Sequence, residues 1–141
     1  MRKSQDKHIG YLLLQLSHKV NQLHNEKLES EGVTASQERL LTLLYKKEGV
    51  TQSELHHELH IKPSSLTKLV DVLVHKGLVK RETSELDGRT KHIYLTEAGK
   101  QKEERLWQIK EEIEAHITQL LNEHQLTSLI ELLHLVRKRI L

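Results

Sequence analysis

The chain has 141 residues, enough for one domain or one domain with an oligomerisation extension, and its net charge of +2 by itself points to no partner. It has no cysteine, which excludes a disulfide framework, a thiolate metal site and thiol-based redox sensing, and it has no apolar run near the roughly 18 residues of a membrane span. With 36% hydrophobic residues, 3% aromatic and no Phe, the core must be built from Leu, Ile and Val, and their spacing is helical almost throughout. The opening MRKSQDKHIG has no long apolar segment behind it and reads as no secretory signal, so a cytoplasmic protein is expected.

A first helix is predicted over residues 6–31, with Ile9, Leu12, Leu13, Leu16, Val20 and Leu23 in one stripe and Tyr11 and Leu14 widening it. So broad an apolar face is usually sandwiched between partners. Gly32 ends it. Thr34-Ala-Ser-Gln37 is a capping box opening a second helix, whose inner face carries Leu40, Leu41 and Leu44 and which Gly49 stops. Thr51-Gln-Ser-Glu54 reads as another capping box, opening a short helix to about Leu59. His60-Ile61-Lys62 then turns tightly into a helix that begins at Pro63, a residue suited to a first helical turn. Two helices so joined make a helix-turn-helix.

In that last helix Leu66, Leu69, Val70 and Leu73 form one buried face, and Gly77 with Leu78 supplies a left-handed C-terminal cap. Strand-like runs follow at Leu78–Glu82 and His92–Thr96, separated by Ser84-Glu-Leu-Asp-Gly-Arg-Thr-Lys91. Asp-Gly between two such runs is a hairpin signal. A hairpin with an exposed Arg at its tip, after an amphipathic helix, is the layout of a winged helix-turn-helix: helix side chains reach base edges and the wing offers Arg to a groove. Residues 62–91 carry seven basic side chains against four acidic, so the positive excess lies where a nucleic acid would bind.

Thr96 can cap a long helix from Glu97, with Leu106, Ile109, Ile113, Ile117, Leu120 and Leu121 in its stripe. Asn122 and Gln125 form a further capping box before a last helix to about Ile140, in which Leu126, Leu129, Ile130, Leu133, Val136 and Ile140 face one way while Leu132 and Leu135 broaden the face. The basic Arg137-Lys-Arg139 complements that helix's dipole. The first and the last two helices carry more apolar surface than a winged domain can cover. The economical arrangement is a symmetric dimer with two recognition helices on half-sites about 10–10.5 bp apart. The expected fold is therefore mainly α: six helices around one β-wing, with residues 1–32 as an N-terminal dimerisation helix, 33–99 as the winged lobe and 100–141 as C-terminal dimerisation helices.

GVTASQERLLTLL, TQSELHHEL, SSLTKLVDVLVHKGLVKRE and above all DGRTKHIYLTEAG give the chain a resemblance to the MarR family, extending over almost its whole length. The resemblance implies a homodimer that binds double-stranded DNA at a pseudo-palindromic operator, usually represses, and is often released by a phenolic or lipophilic small-molecule effector. It places Ser64, Ser65, Thr67 and Lys68 at the exposed start of the recognition helix. It makes Arg89 the wing residue that enters the minor groove, with Asp87 orienting the loop around Gly88. No membrane and no cofactor are implied.

The residues carry plainer readings as well. Ser64 and Ser65 suit N-terminal capping or phosphate contact, Thr67 and Lys68 base readout, and Lys80 and Lys91 phosphate contact. Asp87 could be plain turn chemistry. Tyr11 and Trp107 fit an effector pocket or, equally, core or dimer interface. His56, His57 and His60 are weak metal candidates, because zinc needs three or four converging ligands. Alternatives to a small-molecule-responsive regulator are a zinc-responsive regulator of the same fold and a winged-helix module for protein contact. An enzyme is not expected: there is no HExxH, Gly-rich phosphate loop, nucleophile elbow or thiol.

Overall fold

The computed structural model describes residues 3–141; Met1 and Arg2, part of the opening stretch and of the expected first segment, lie outside the described residues. Two compact units make up the chain, Met1–Ile109 and Lys110–Leu141. In the first, α1 spans Ile9–Leu28 and runs into a short 3-10 turn, Glu29–Glu31, closed by Gly32 at φ 71°. Helix α2 (Ala35–Lys46) opens on the expected capping box: Thr34 accepts from Gln37 N–H at 3.3 Å, and Gln37 returns Oε1 to Thr34 N–H at 3.1 Å. Leu40, Leu41 and Leu44 are fully buried, each contributing about 1.5–3 kcal/mol of hydrophobic stabilisation.

A short strand, β1 (Val50–Thr51), precedes α3 (Gln52–Leu59), and α4 (Pro63–His75) follows after a turn in which His60 takes the left-handed conformation. Leu66, Val70 and Leu73 of α4 are buried and Leu69 half-buried. Its end is a Schellman cap: Gly77 (φ 73°) donates to Val74 O and Leu78 to Leu73 O, and Leu78 folds into the core. Strands β2 (Val79–Thr83) and β3 (Lys91–Leu95) form the hairpin, each within one residue of its expected bounds. The sheet order is β1-β3-β2, all antiparallel, with Val50 opposite Ile93 and Arg81 opposite Ile93 on the other side.

Two local expectations change. Thr51 accepts from Glu54 N–H at 3.1 Å, but no return bond from the Glu54 side chain completes that capping box; Thr51 is itself a strand residue. The long helix from Glu97 is segmented into α5 (Glu97–Gln101) and α6 (Glu103–Ile117) around Lys102, which keeps right-handed helical angles, so the order of helices around the wing stands. The break lies where the Tyr45 hydroxyl donates to Gly99 O at 2.6 Å, and Lys102 N–H tightens onto the same carbonyl at 3.3 Å. Burial first, then Glu103 and Glu38, pushes the Tyr45 phenol up to about 12, so the hydroxyl stays a donor well into the alkaline range. Gly99 tolerates no side chain: a Cβ would lie 2.2 Å from Leu78 O.

The second unit holds the end of α6 and helix α7 (Glu123–Ile140), opened by the Asn122–Gln125 capping box at 2.8 and 3.0 Å. No residue of α7 is buried. Among the described residues no helix is long and apolar enough to cross a membrane.

Candidate nucleic-acid interface

The wing tip is built by local hydrogen bonds. Ser84 N–H donates to Thr90 O at 2.8 Å and Gly88 N–H to Ser84 O at 3.0 Å, with Gly88 at φ 66°. Asp87 organises the rest: one carboxylate oxygen accepts from Arg89 N–H at 3.0 Å and Thr90 N–H at 2.8 Å, and the other from the Thr90 hydroxyl. These donors, the Thr90 hydroxyl first, lower its pKa to about 2 although the group is fully solvated. Asp87 is thus the loop's organiser, and Arg89, two residues on, is exposed. Leu86, just before it, is 98% exposed.

Helix α4 starts with Lys62 as N-cap and Pro63 as first residue, and no side chain caps it. Ser64 and Ser65 are therefore exposed in an uncapped first turn, whose N–H groups and partial positive charge suit an anion. Thr67 and Lys68 lie one turn further on, also exposed. The Thr67 hydroxyl is already engaged: it donates to Pro63 O at 3.0 Å and accepts from Gln52 Nε2 at 3.4 Å. A shallow cleft of about 290 Å³ joins the wing to the start of α3, lined by Thr51, Gln52, Ser53, Arg89, Thr90 and Lys91. Arg89 and Lys91 thus share one concave surface with a helix N-terminus.

Sequence reasoning missed what holds these parts at a fixed angle. Arg81 of β2 donates Nε–H to Gln52 Oε1 at 2.9 Å, Nη2–H to Thr67 O at 3.2 Å, and Nη2–H to the Asp71 carboxylate. One guanidinium therefore ties the wing to α3 and α4. The signal was present, since alternation along β2 puts Arg81 on the face of buried Val79, and an inward cation needs a partner. His92 adds a tie between strand and loop, its Nδ1 2.8 Å from Gly49 O.

The other sequence candidates are dispersed. His56 and His57 tilt against each other with ring centroids 4.1 Å apart, His60 caps α3, and no group of three or more potential metal ligands occurs among the described residues. Tyr11 on α1 and Trp107 on α6 are 38% and 56% exposed. A separate, mainly apolar cleft of about 370 Å³ lies along α4, between Leu59, Ile61, Leu69 and Val72, with Arg39, Ser36 and Lys68 at its edge.

The sequence profile of the MarR family matches residues 33–91. The chain is 32% identical over 103 residues to an uncharacterized HTH-type transcriptional regulator, YdgJ, of Bacillus subtilis (strain 168), covering 72% of this chain and 61% of that one. It is 31% identical over 101 residues to the HTH-type transcriptional repressor MdtR of the same organism, covering 72% and 65%. The chain thus spans less than two thirds of the length of these curated relatives. The crystal structure of a cysteine-to-serine mutant of E. coli MarR, complexed with operator DNA, superposes with a TM-score of 0.87 at 28% identity, covering 96% of this chain and 99% of that one.

Proposed function

The chain belongs to the MarR family, and from that premise we propose that it is a homodimeric transcriptional regulator binding a pseudo-palindromic DNA operator. The observation that carries this reading is the wing: a hairpin tip pinned by Asp87, presenting Arg89 and Lys91 on one surface with the start of α3. Arg89 enters a minor groove, whose focused negative potential favours a guanidinium. The uncapped first turn of α4, with Ser64 and Ser65, binds phosphate and sets the register; Lys68 and Thr67 face the base edges. With its hydroxyl hydrogen on Pro63 O, Thr67 offers DNA an acceptor or its methyl group rather than a donor.

The regulator acts as a repressor, a reading supported by the likeness to the repressor MdtR, and a lipophilic or phenolic effector releases it. The apolar cleft along α4 suits such a molecule: Arg39 and Lys68 attract an acidic group, and an occupant leans directly on the recognition helix. The ligand shifts the population toward a conformation that binds DNA less well, by its own preference for that state. Tyr11 and Trp107 form an effector wall only once a second copy covers them. Zinc control draws no support from His56, His57 and His60, since no group of three or more potential metal ligands occurs among the described residues.

The test is fluorescence anisotropy on DNA from upstream of the protein's own gene, at two salt concentrations and against nonspecific competitor. One dimer should resist competitor and weaken with salt. Arg89→Ala should weaken operator binding by about ten- to a hundredfold with the dimer intact. Unchanged affinity in that variant would remove the wing assignment, and absence of salt-dependent binding to any DNA would favour a protein-contact module.

A further inference from the structure

A second cleft, of about 510 Å³, lies between the end of α2 and α3 and shares no lining residue with the cleft at the wing. Its volume is that of a small-molecule site. Its floor is apolar: Val50 and Leu55 are buried and Leu43 half-buried. Its two walls have opposite charge. Lys46 and Lys47 come from the end of α2; Glu54 and Glu58, one helical turn apart, come from α3. None of these four forms an ion pair among the described residues. Glu54 lines this cleft instead of closing the capping box with Thr51.

We propose that this cleft binds a small zwitterion with an apolar body, the simplest being an apolar α-amino acid. The carboxylate lies against Lys46 and Lys47, the ammonium against Glu54 and Glu58, and the side chain on Leu43, Val50 and Leu55. Lys46, Lys47, Glu54 and Glu58 are all exposed, so a lipophilic acid forgoes the charged contact to the glutamates and a lipophilic amine the one to the lysines. Only a ligand carrying both charges satisfies both walls. The site is connected to the wing. Val50 belongs to β1, which pairs with β3, and α3 carries Gln52, which holds Arg81 and Thr67. A ligand drawing α3 toward α2 therefore acts on the helix that sets the wing's angle. That consequence rests on the proposed DNA-binding function; the binding itself does not.

Isothermal titration of the full chain, without DNA, tests it with L-phenylalanine, L-leucine, 3-phenylpropionate and phenethylamine. The expected result is one saturable site per chain for an amino acid, with the acid and the amine each weaker by about tenfold or more, the usual effect of losing a charged hydrogen-bonding partner. Lys46→Gln with Lys47→Gln should weaken the amino acid and the acid by a similar factor and leave the amine unchanged. Glu54→Gln with Glu58→Gln should weaken the amino acid and the amine and leave the acid unchanged. No saturable heat with either amino acid would overturn the proposal, as would 3-phenylpropionate binding as tightly as L-phenylalanine, or binding indifferent to both pairs of substitutions. A chain that bound no DNA yet titrated as expected would lose the regulatory reading and keep this site.

Discussion

Asp87 shows how one side chain can make a loop into a tool. It is fully solvated, yet three donors from two residues converge on it, and the cost of protonating it is the loss of those bonds. Because its folded pKa is lowered from 3.8 to about 2, its contribution to wing order is complete above the unfolded value and disappears as pH falls toward 2. The Thr90 hydroxyl is the largest cause. Thr90→Val should therefore move the Asp87 titration, followed by NMR of its carboxyl carbon, up toward 3.8. A midpoint that stays near 2 would mean that the backbone donors alone hold the charge. Asp87, Gly88 and Arg89 were legible in the sequence because turn chemistry is local: the donors lie within three residues of the acceptor. The partners of Arg81 were not, since Asp71, Thr67 and Gln52 are ten to twenty-nine residues away and only folding brings them together.

At the scale of elements the same division appears. Capping boxes at Thr34 and Asn122 and the Schellman turn at Gly77 follow from three or four adjacent residues and could be read directly. Strand β1 could not, because two residues carry no periodicity and it exists only where β3 offers an edge. The break between α5 and α6 is likewise set from a distance, by the hydroxyl of Tyr45 on Gly99 O. The junction of wing, α3 and α4 depends on Arg81 in the same way, so its removal should be felt in two measurements. Arg81→Ala should lower stability by about 1–2 kcal/mol in urea denaturation, a modest loss because the guanidinium and above all Asp71 are partly exposed to solvent. It should also weaken operator binding although Arg81 faces inward, because wing and recognition helix lose their common strut. Restoring the charge alone, with Arg81→Lys, should recover little, since one ammonium cannot reproduce a planar fork bonded to three partners. If Arg81→Ala altered neither stability nor DNA affinity, the strut would be redundant with the sheet.

For the whole molecule, the decisive quantity is the apolar surface a single copy leaves in water. Helix α7 buries no residue, and Leu129, Ile130, Leu132, Leu133 and Leu135 are all exposed; on α1, Ile9, Leu14 and Leu16 are exposed as well. The breadth of these stripes was visible in the sequence as apolar residues beyond one helical face, and the fold supplies no cover for them within its units. Contiguous exposed apolar surface of this kind marks an interaction site. A second copy is the occupant that the proposed function requires, since two recognition helices must be held at a fixed spacing. Sedimentation equilibrium should therefore give a dimer. Leu129→Glu with Leu133→Glu, one turn apart on α7, should give a monomer with its helix content intact, because neither side chain is buried in the isolated chain. That monomer should lose operator affinity by about a hundredfold or more, as the second half-site contact ceases to be intramolecular. A wild-type chain that sediments as a monomer while binding its operator would break the link between α7 and DNA. A double variant that stays dimeric would place the dimer contact elsewhere, on α1 and the exposed face of α6 around Trp107.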